Sequence, residues 1–256
     1  LDAPVGRRLT VSIMLQPLIK LLRRRGVVLA GANHPAIRYF DHAPASPFHD
    51  VLFRRFPDLR GLGFIQIGAN DGCRADPLAP FIERYAWTGL MIEPLSANFA
   101  ELRRRHGTNP RLRLLQAAVD LAAGRRLIYD LVPGEAAVPD WAHGLGSFSQ
   151  QHVLNAARSL GLPDSTVQPE EVETISWQRV WLEFGSRTCD LLVLDTEGYD
   201  MALLHAAGLG EHRPHLILFE HACNAMAERI EFYRELLELG YELATDGPDT
   251  TAWLKA

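Results

Sequence analysis

Four places in the sequence group residues that can do chemistry. The first is the turn Gly68, Ala69, Asn70, Asp71 and Gly72, which follows the apolar residues Phe64, Ile65 and Ile67. Glycine permits positive φ and close approach of a ligand to the backbone, while Asn and Asp tolerate left-handed conformations and present hydrogen-bonding groups. The second is Glu93, which ends a short apolar run about twenty residues beyond the turn, the separation at which doubly wound folds place a ribose-binding carboxylate. The third and fourth are Asp195 with Glu197, and Glu220 with His221, each at the close of an apolar run. Acids at strand ends can orient a hydroxyl, and histidine is the side chain whose proton affinity best matches neutral pH.

The turn departs from the dinucleotide fingerprint. Counted from Gly68, G-x-G-x-x-G needs glycine at 70 and 73, where the chain has Asn70 and Cys73. A pyrophosphate cradle is therefore disfavoured, and a cofactor with a nucleoside and a non-phosphate tail, such as S-adenosylmethionine, fits better. Asp76, ahead of Pro77, reads as a helix N-cap, and because that helix start is aimed at the same pocket it is also a candidate cofactor contact. Two other classes stay open: a nicotinamide-dependent oxidoreductase, which uses the same strand, turn and acid, and a non-catalytic partner in polysaccharide assembly.

FIQIGANDG at 64–72, IEP at 92–94, DTEGYD at 195–200 and FEH at 219–221, in that order, resemble the FkbM-type methyltransferases from about residue 61 to the C-terminus. The resemblance implies a class I S-adenosylmethionine fold and methyl transfer to an oxygen, often on a sugar or a polyketide. It implies that the 68–72 turn, Glu93, Pro94 and Asp195 contact the cofactor and that the adenine ring lies near 116–118, where the small Ala117 and Ala118 leave room for it. It also implies that Ser147 and Phe148 line the pocket.

Methyl transfer from a sulfonium is an in-line displacement in which the acceptor oxygen loses its proton, so positioning and a base are the two requirements. His221 is the first candidate base, with Asp195 and Glu197 as alternatives that orient the hydroxyl. Asp195, Glu220 and His221 could instead hold magnesium or manganese through an oxygen-rich set.

These residues need a sheet to carry them. Apolar runs predict strands at 64–67, 88–93, 112–119, 126–132, 172–177, 190–195 and 215–220, with a closing hairpin at 241–245 and 251–254. Helices are expected at 76–85, 96–106 (capped by Ser96), 149–160, 177–184, 201–207 and 229–239. The expected fold is α/β, a Rossmann-like doubly wound sheet, mostly parallel with an antiparallel C-terminal hairpin. It comprises a helical or irregular extension at 1–60 and a methyltransferase domain at 61–256. An insertion at 133–171 is read as a lid or acceptor-binding wall.

Composition bounds the rest. With 47% hydrophobic and 22% charged residues in 256, the chain can bury a full core. The net charge of −5 argues against a nucleic-acid partner. Three cysteines without metal-type spacing suit a reducing cytoplasm. The arginine-flanked apolar segment 7–25, split by Pro17, suggests peripheral membrane contact or, alternatively, docking on the body or in a homodimer. His34, His42 and His49 match no metal motif and are expected at the surface.

Overall fold

The computed structural model describes residues 46–132, 142 and 144–255. The segment 7–25, His34, His42 and part of the insertion lie outside the described residues. The chain divides into compact units after Asp58. In the first, α1 (Pro47–Arg55) starts at Ser46, whose Oγ accepts from the His49 amide at 3.4 Å. His49, expected at the surface, is buried, with its Nδ1 2.8 Å from Ser46 Oγ.

The second unit, from Leu59 onward, is built on a seven-stranded sheet. Its strands are β1 (Gly63–Ile67), β2 (Thr88–Ile92), β3 (Leu112–Leu115), β7 (Leu191–Leu194), β8 (Leu216–Glu220), β9 (Tyr241–Asp246) and β10 (Asp249–Leu254), in the order β3-β2-β1-β7-β8-β10-β9. All pairings are parallel up to β8, and β10 runs antiparallel to both its neighbours. The expected mostly parallel sheet with an antiparallel C-terminal hairpin is what forms. Continuous apolar strands such as LLVL in β7 suit a sheet covered on both faces.

Alternation along β1 divides its side chains between those faces. Ile65 and Ile67 join Leu192, Leu194, Ile217 and Phe219 in a core closed by α5 (Trp177–Phe184), α6 (Asp200–His205) and α8 (Met226–Glu238). Phe64 points the other way, to Trp87, on which Phe81 stacks with ring centroids 5.5 Å apart. A four-residue helix, α7 (Leu209–His212), precedes β8.

Three local expectations change. The strand expected at 112–119 is two: β3 ends at Leu115, and β4 (Ala118–Val119) pairs instead with β6 (Val167–Ile175), which also pairs antiparallel with β5 (Gly124–Leu131). This second, three-stranded sheet carries the insertion and its helix α4 (Gln150–Ser159). The helix expected at 76–85 shrinks to α2 (Ala79–Ile82): Pro77 suits a start at Asp76, but Pro80 has no amide to donate to the Asp76 carbonyl. Asp76 Oδ1 still accepts from the Leu78 and Ala79 amides at 2.7 and 3.3 Å. Ser96 does not cap α3 (Ser96–His106) but is its first residue, and its amide donates to Glu170 Oε1 at 3.0 Å.

No helix among the described residues is long and apolar enough to cross a membrane.

Candidate functional site

The strand order reverses direction between β1 and β7: β2 and β3 build outward on one side, β8 on the other. In open α/β sheets the crevice at such a switch point, outside the carboxyl ends of the strands, is where ligands bind. A cleft of about 600 Å³, counting its open mouth, lies there. Its base is Ile67, Gly68 and Asn70 after β1, Glu93, Pro94 and Leu95 after β2, and Asp195 and Thr196 after β7. Its walls come from Ala117 in the link after β3, from Ala118, Val119 and Ile128 of the second sheet, from Gly144, Gly146 and Phe148 of the insertion, and from Tyr199.

Glycine is required where the base is tightest. Gly68 has φ +78°, and a Cβ there would lie 1.9 Å from the Asp195 carbonyl oxygen. The carboxyl ends of β1 and β7 approach this closely only because residue 68 has no side chain. Gly144, at φ +109°, likewise lets the insertion backbone reach the turn, since a Cβ would meet Asn70 Nδ2 at 2.3 Å.

Glu93 ties the two strand ends together. Its Oε2 accepts from the Asn70 amide at 2.9 Å and its Oε1 from the Leu95 amide at 3.0 Å, with the side chain in the lining of the cleft. The carboxylate still has a lone pair to offer a ligand hydroxyl. Burial pushes the carboxyl up to about 7 against the Leu95 and Asn70 amides and the Asn98 side chain.

The turn after β7 is held by its own acid. Asp200, fully buried, accepts from the Thr196 amide and hydroxyl, both at 3.1 Å. Glu197 is forced to φ +52° between them, a conformation costing a non-glycine residue roughly 1–3 kcal/mol and concentrated at functional sites. Asp195 is open to solvent in the cleft, yet the protein packed around it, and then the charges of Glu197, Glu220, Asp249 and Glu93, push its carboxyl up to about 7. Burial and Glu197 raise Glu220 as well, and burial and Asp246 raise Asp249.

One wall is pinned by an aromatic and ionic strap. Tyr199 donates to Asp120 Oδ1 at 2.8 Å, Arg126 bonds Asp120 Oδ2 at 2.8 Å, and the Arg126 guanidinium lies 3.8 Å from the Phe148 ring centroid. Burial alone would raise Asp120, but Arg126 and Tyr199 outweigh it and hold that carboxyl below its usual range. Phe148 and Tyr199 meet edge to face, 5.5 Å between centroids.

Of the residues singled out from the sequence, Gly68, Asn70, Glu93, Pro94, Ala117, Ala118, Phe148 and Asp195 line the cleft. Ala69, Asp71 and Gly72 shape the turn beneath it: Asp71 Oδ1 accepts from the Cys73 and Arg74 amides, and the Gly72 amide donates to Ala69. Asp76 is engaged at the start of α2, outside the lining. Ser147 lies behind Phe148, its Oγ donating to the Glu197 carbonyl at 2.9 Å.

His221, the expected base, is not in the lining. It is 7% exposed and its Nδ1 is 2.9 Å from Thr250 Oγ1, which in turn lies 2.7 Å from the Tyr233 hydroxyl. Burial and Arg229 push its imidazole below the usual range. For the same reason the metal set fails: among the described residues no group of His, Cys, Asp or Glu is arranged to hold a metal ion, and Asp195, Glu220 and His221 do not converge.

Leu95, Val119, Ile128, Gly146 and Tyr199 were not anticipated as lining residues. The glycine pair around Leu145 was the one available signal for the insertion's close approach. Tyr199 stood inside DTEGYD without a residue type that marks a pocket.

The residues present suit S-adenosylmethionine. Glycine at 68 leaves room over the backbone, Leu95, Ala117, Ala118 and Ile128 offer an apolar slot for a flat ring, and Glu93 accepts ribose hydroxyls. The cleft also crowds carboxyls whose ionisation a positive charge would favour, as a sulfonium and an ammonium group would provide.

A family model described as the Methyltransferase FkbM domain matches residues 66–243. Comparison with curated protein sequences gave no match. Among solved structures, the methyltransferase FkbM from Methylobacillus flagellatus KT is 16% identical, with a TM-score of 0.47, covering 94% of this chain and 59% of that one. The chain thus spans 59% of the length of that protein. The N-terminal domain of human METTL16 (12% identical, TM-score 0.39, 92% of this chain and 78% of that one) and a precorrin-6y C5,15-methyltransferase from Geobacter metallireducens GS-15 (10%, 0.39, 84% and 95%) are also similar.

Proposed function

Because the chain belongs to the FkbM methyltransferase family, we propose that it is an S-adenosylmethionine-dependent O-methyltransferase acting on a hydroxyl of a sugar, a glycan or another small hydroxylated molecule. The observation that carries this reading is the carboxyl-rich cleft at the switch point, where Glu93 and Asp195 face one space with no lysine or arginine in its described lining. That lining suits a cationic nucleoside and opposes a pyrophosphate, so the nicotinamide alternative loses its support.

When bound, S-adenosylmethionine supplies a methyl group made electrophilic by its sulfonium. The chain's own residues do the rest. Glu93 accepts ribose hydroxyls while its hydrogen bonds from Asn70 and Leu95 keep it from turning away. Ala117, Ala118, Leu95 and Ile128 exclude water from the ring slot. Asp195, at the reacting edge, offsets positive charge and orients the acceptor, where alignment can contribute several kcal/mol to the barrier. Phe148 and Tyr199, held by Arg126 and Asp120, close the side facing the acceptor.

Calorimetric titration of the chain with S-adenosylmethionine, S-adenosylhomocysteine and NAD tests the reading, with Glu93→Ala as the control. Binding of the sulfonium compound that is lost in the control is expected. NAD binding alone, or no binding, would overturn it.

A further inference from the structure

Resting on that reading, we infer that His152 is the proton acceptor for the substrate hydroxyl and that Glu197 is the residue that positions it. Two segments far apart in sequence, 147–152 and the turn after β7, build this pair. Ser149 caps α4, and its Oγ accepts from the His152 amide at 3.3 Å, which sets His152 in the first turn of that helix. Two residues before the cap, Ser147 donates to the Glu197 carbonyl and so fastens the insertion to the turn after β7. Glu197 is thereby held in its left-handed conformation, with Oε2 3.3 Å from His152 Nε2. His152 and Glu197 are not themselves in the lining of the cleft; Thr196, next to Glu197, and Phe148, one turn before His152, are.

The chemistry of the partners assigns the tautomer. A carboxylate accepts the Nε2–H, which leaves the Nδ1 lone pair free to take a proton. Nδ1 faces the sulfur of Cys223 at 3.8 Å, and a thiol is a weak partner that an incoming hydroxyl can displace. Burial and the charges of Glu220 and Glu197 push that thiol up to about 11, so at neutral pH it stays uncharged and does not form an ion pair with the ring. Glu197, by its hydrogen bond and charge, and Glu220, by its charge, raise the imidazole above its ordinary value against the cost of burial. The groups facing His152 are therefore Glu197, Glu220 and Cys223. By contrast, His221 has its Nδ1 engaged by Thr250 and is pushed the other way.

The step balances. The hydroxyl oxygen forms a bond to the methyl carbon as the carbon–sulfur bond breaks, and that bond's electron pair returns to sulfur, which becomes a neutral thioether. The hydroxyl proton passes to His152 Nδ1, and the imidazolium formed is stabilised by Glu197 and loses the proton to water as product leaves.

The test uses the full chain labelled with nitrogen-15 in histidine, its ring nitrogens followed from pH 5 to 9. His152→Gln identifies the signal. We expect His152 to hold its proton on Nε2 at high pH, to titrate above the ordinary histidine value, and to titrate lower in Glu197→Gln. A proton on Nδ1, or a midpoint that Glu197→Gln leaves in place, overturns the inference. In parallel, methyl transfer to a panel of methyl glycosides is measured with S-adenosylhomocysteine affinity as the control. His152→Gln is expected to lower kcat by roughly 10²–10⁴-fold with affinity within about twofold. Equal rates for wild type and His152→Gln overturn it. So does absence of transfer in a wild type that binds S-adenosylmethionine, if the Nε2–H tautomer is also missing. Loss of cofactor binding in the wild type would instead strike the proposed function itself.

Discussion

The base of the cleft and the cluster beside it, the two halves of the candidate site, are made differently. The half around Gly68, Asn70 and Glu93 comes from two adjacent parallel strands and the turns that follow them, within 26 residues of sequence numbered 68 to 93. The half around His152, Glu197, Glu220 and Cys223 draws one residue each from the insertion helix, the turn after β7, the end of β8 and the loop beyond it. The first half is shaped by backbone geometry and, on the proposed function, serves the cofactor. The second is shaped by side-chain contacts and, on the same proposal, serves the acceptor. A nucleoside can be held by whatever a strand-turn-strand unit provides locally, whereas a proton acceptor must be brought to one place by the whole fold.

This contrast can be broken most severely at Gly68. Gly68→Val should abolish S-adenosylmethionine binding and cost ~3 kcal/mol or more of stability, because a side chain there both strains φ and overlaps the Asp195 carbonyl. Denaturant unfolding and calorimetry read the two effects. Next, Glu93→Ala should weaken cofactor binding by about 10–100-fold, the scale of about 1.5–3 kcal/mol for hydrogen bonds to a charged group, while leaving the His152 titration unmoved. If that titration shifts, the halves are not independent.

A pH series sharpens the same comparison. Glu93 and Asp195 hold their protons in the folded chain up to about 7, whereas unfolded acids release them near 4. The folded state therefore binds more protons than the unfolded between those values, and this contribution to stability is complete below about 4 and lost as pH rises through about 7. Melting of the chain without cofactor should show that fall. A bound cation prefers the ionised carboxyls, so S-adenosylmethionine affinity should drop as pH is lowered below 7, by up to about tenfold per unit for each proton linked to binding. A pH-independent affinity would contradict the crowding of these acids.

Tyr199→Phe removes the hydroxyl bonded to Asp120 and should cost about 1 kcal/mol, loosening the acceptor wall while cofactor affinity stays within about twofold. Ser149→Ala is the mildest change, about 1 kcal/mol of helix start. It should lower kcat modestly by freeing His152, with no effect on the nucleoside half.

How legible each half was in the sequence follows from the same contrast. The sheet, its crossover pattern and the C-terminal hairpin could be read because apolar runs and turn residues act locally, and Gly68, Glu93 and Asp195 fell where strand ends put them. The break of the 112–119 run could not, since nothing between Leu115 and Ala118 marks a change of sheet; the partner that captures Ala118 is Thr174, far along the chain. α2 was overextended because Pro80 was passed over beside the more obvious Pro77. His221 drew attention by standing at a strand end, yet its ring turns to Thr250. His152 carried no mark, because its partner Glu197 is distant in sequence and periodicity gives no information about that contact.

The second sheet has one more consequence. The chain leaves the main sheet after Leu115 and re-enters it at Leu191, and the excursion up to Ile175 forms its own three-stranded sheet. It is fastened back by Ser96 to Glu170, Asp120 to Tyr199 and Ser147 to Glu197. Such a segment behaves as a cassette. A chimaera that swaps it for the corresponding segment of another family member, keeping those six anchoring positions together with Ala117, Ala118 and Ile128 of the ring slot, should take on the donor's acceptor selectivity with cofactor affinity unchanged.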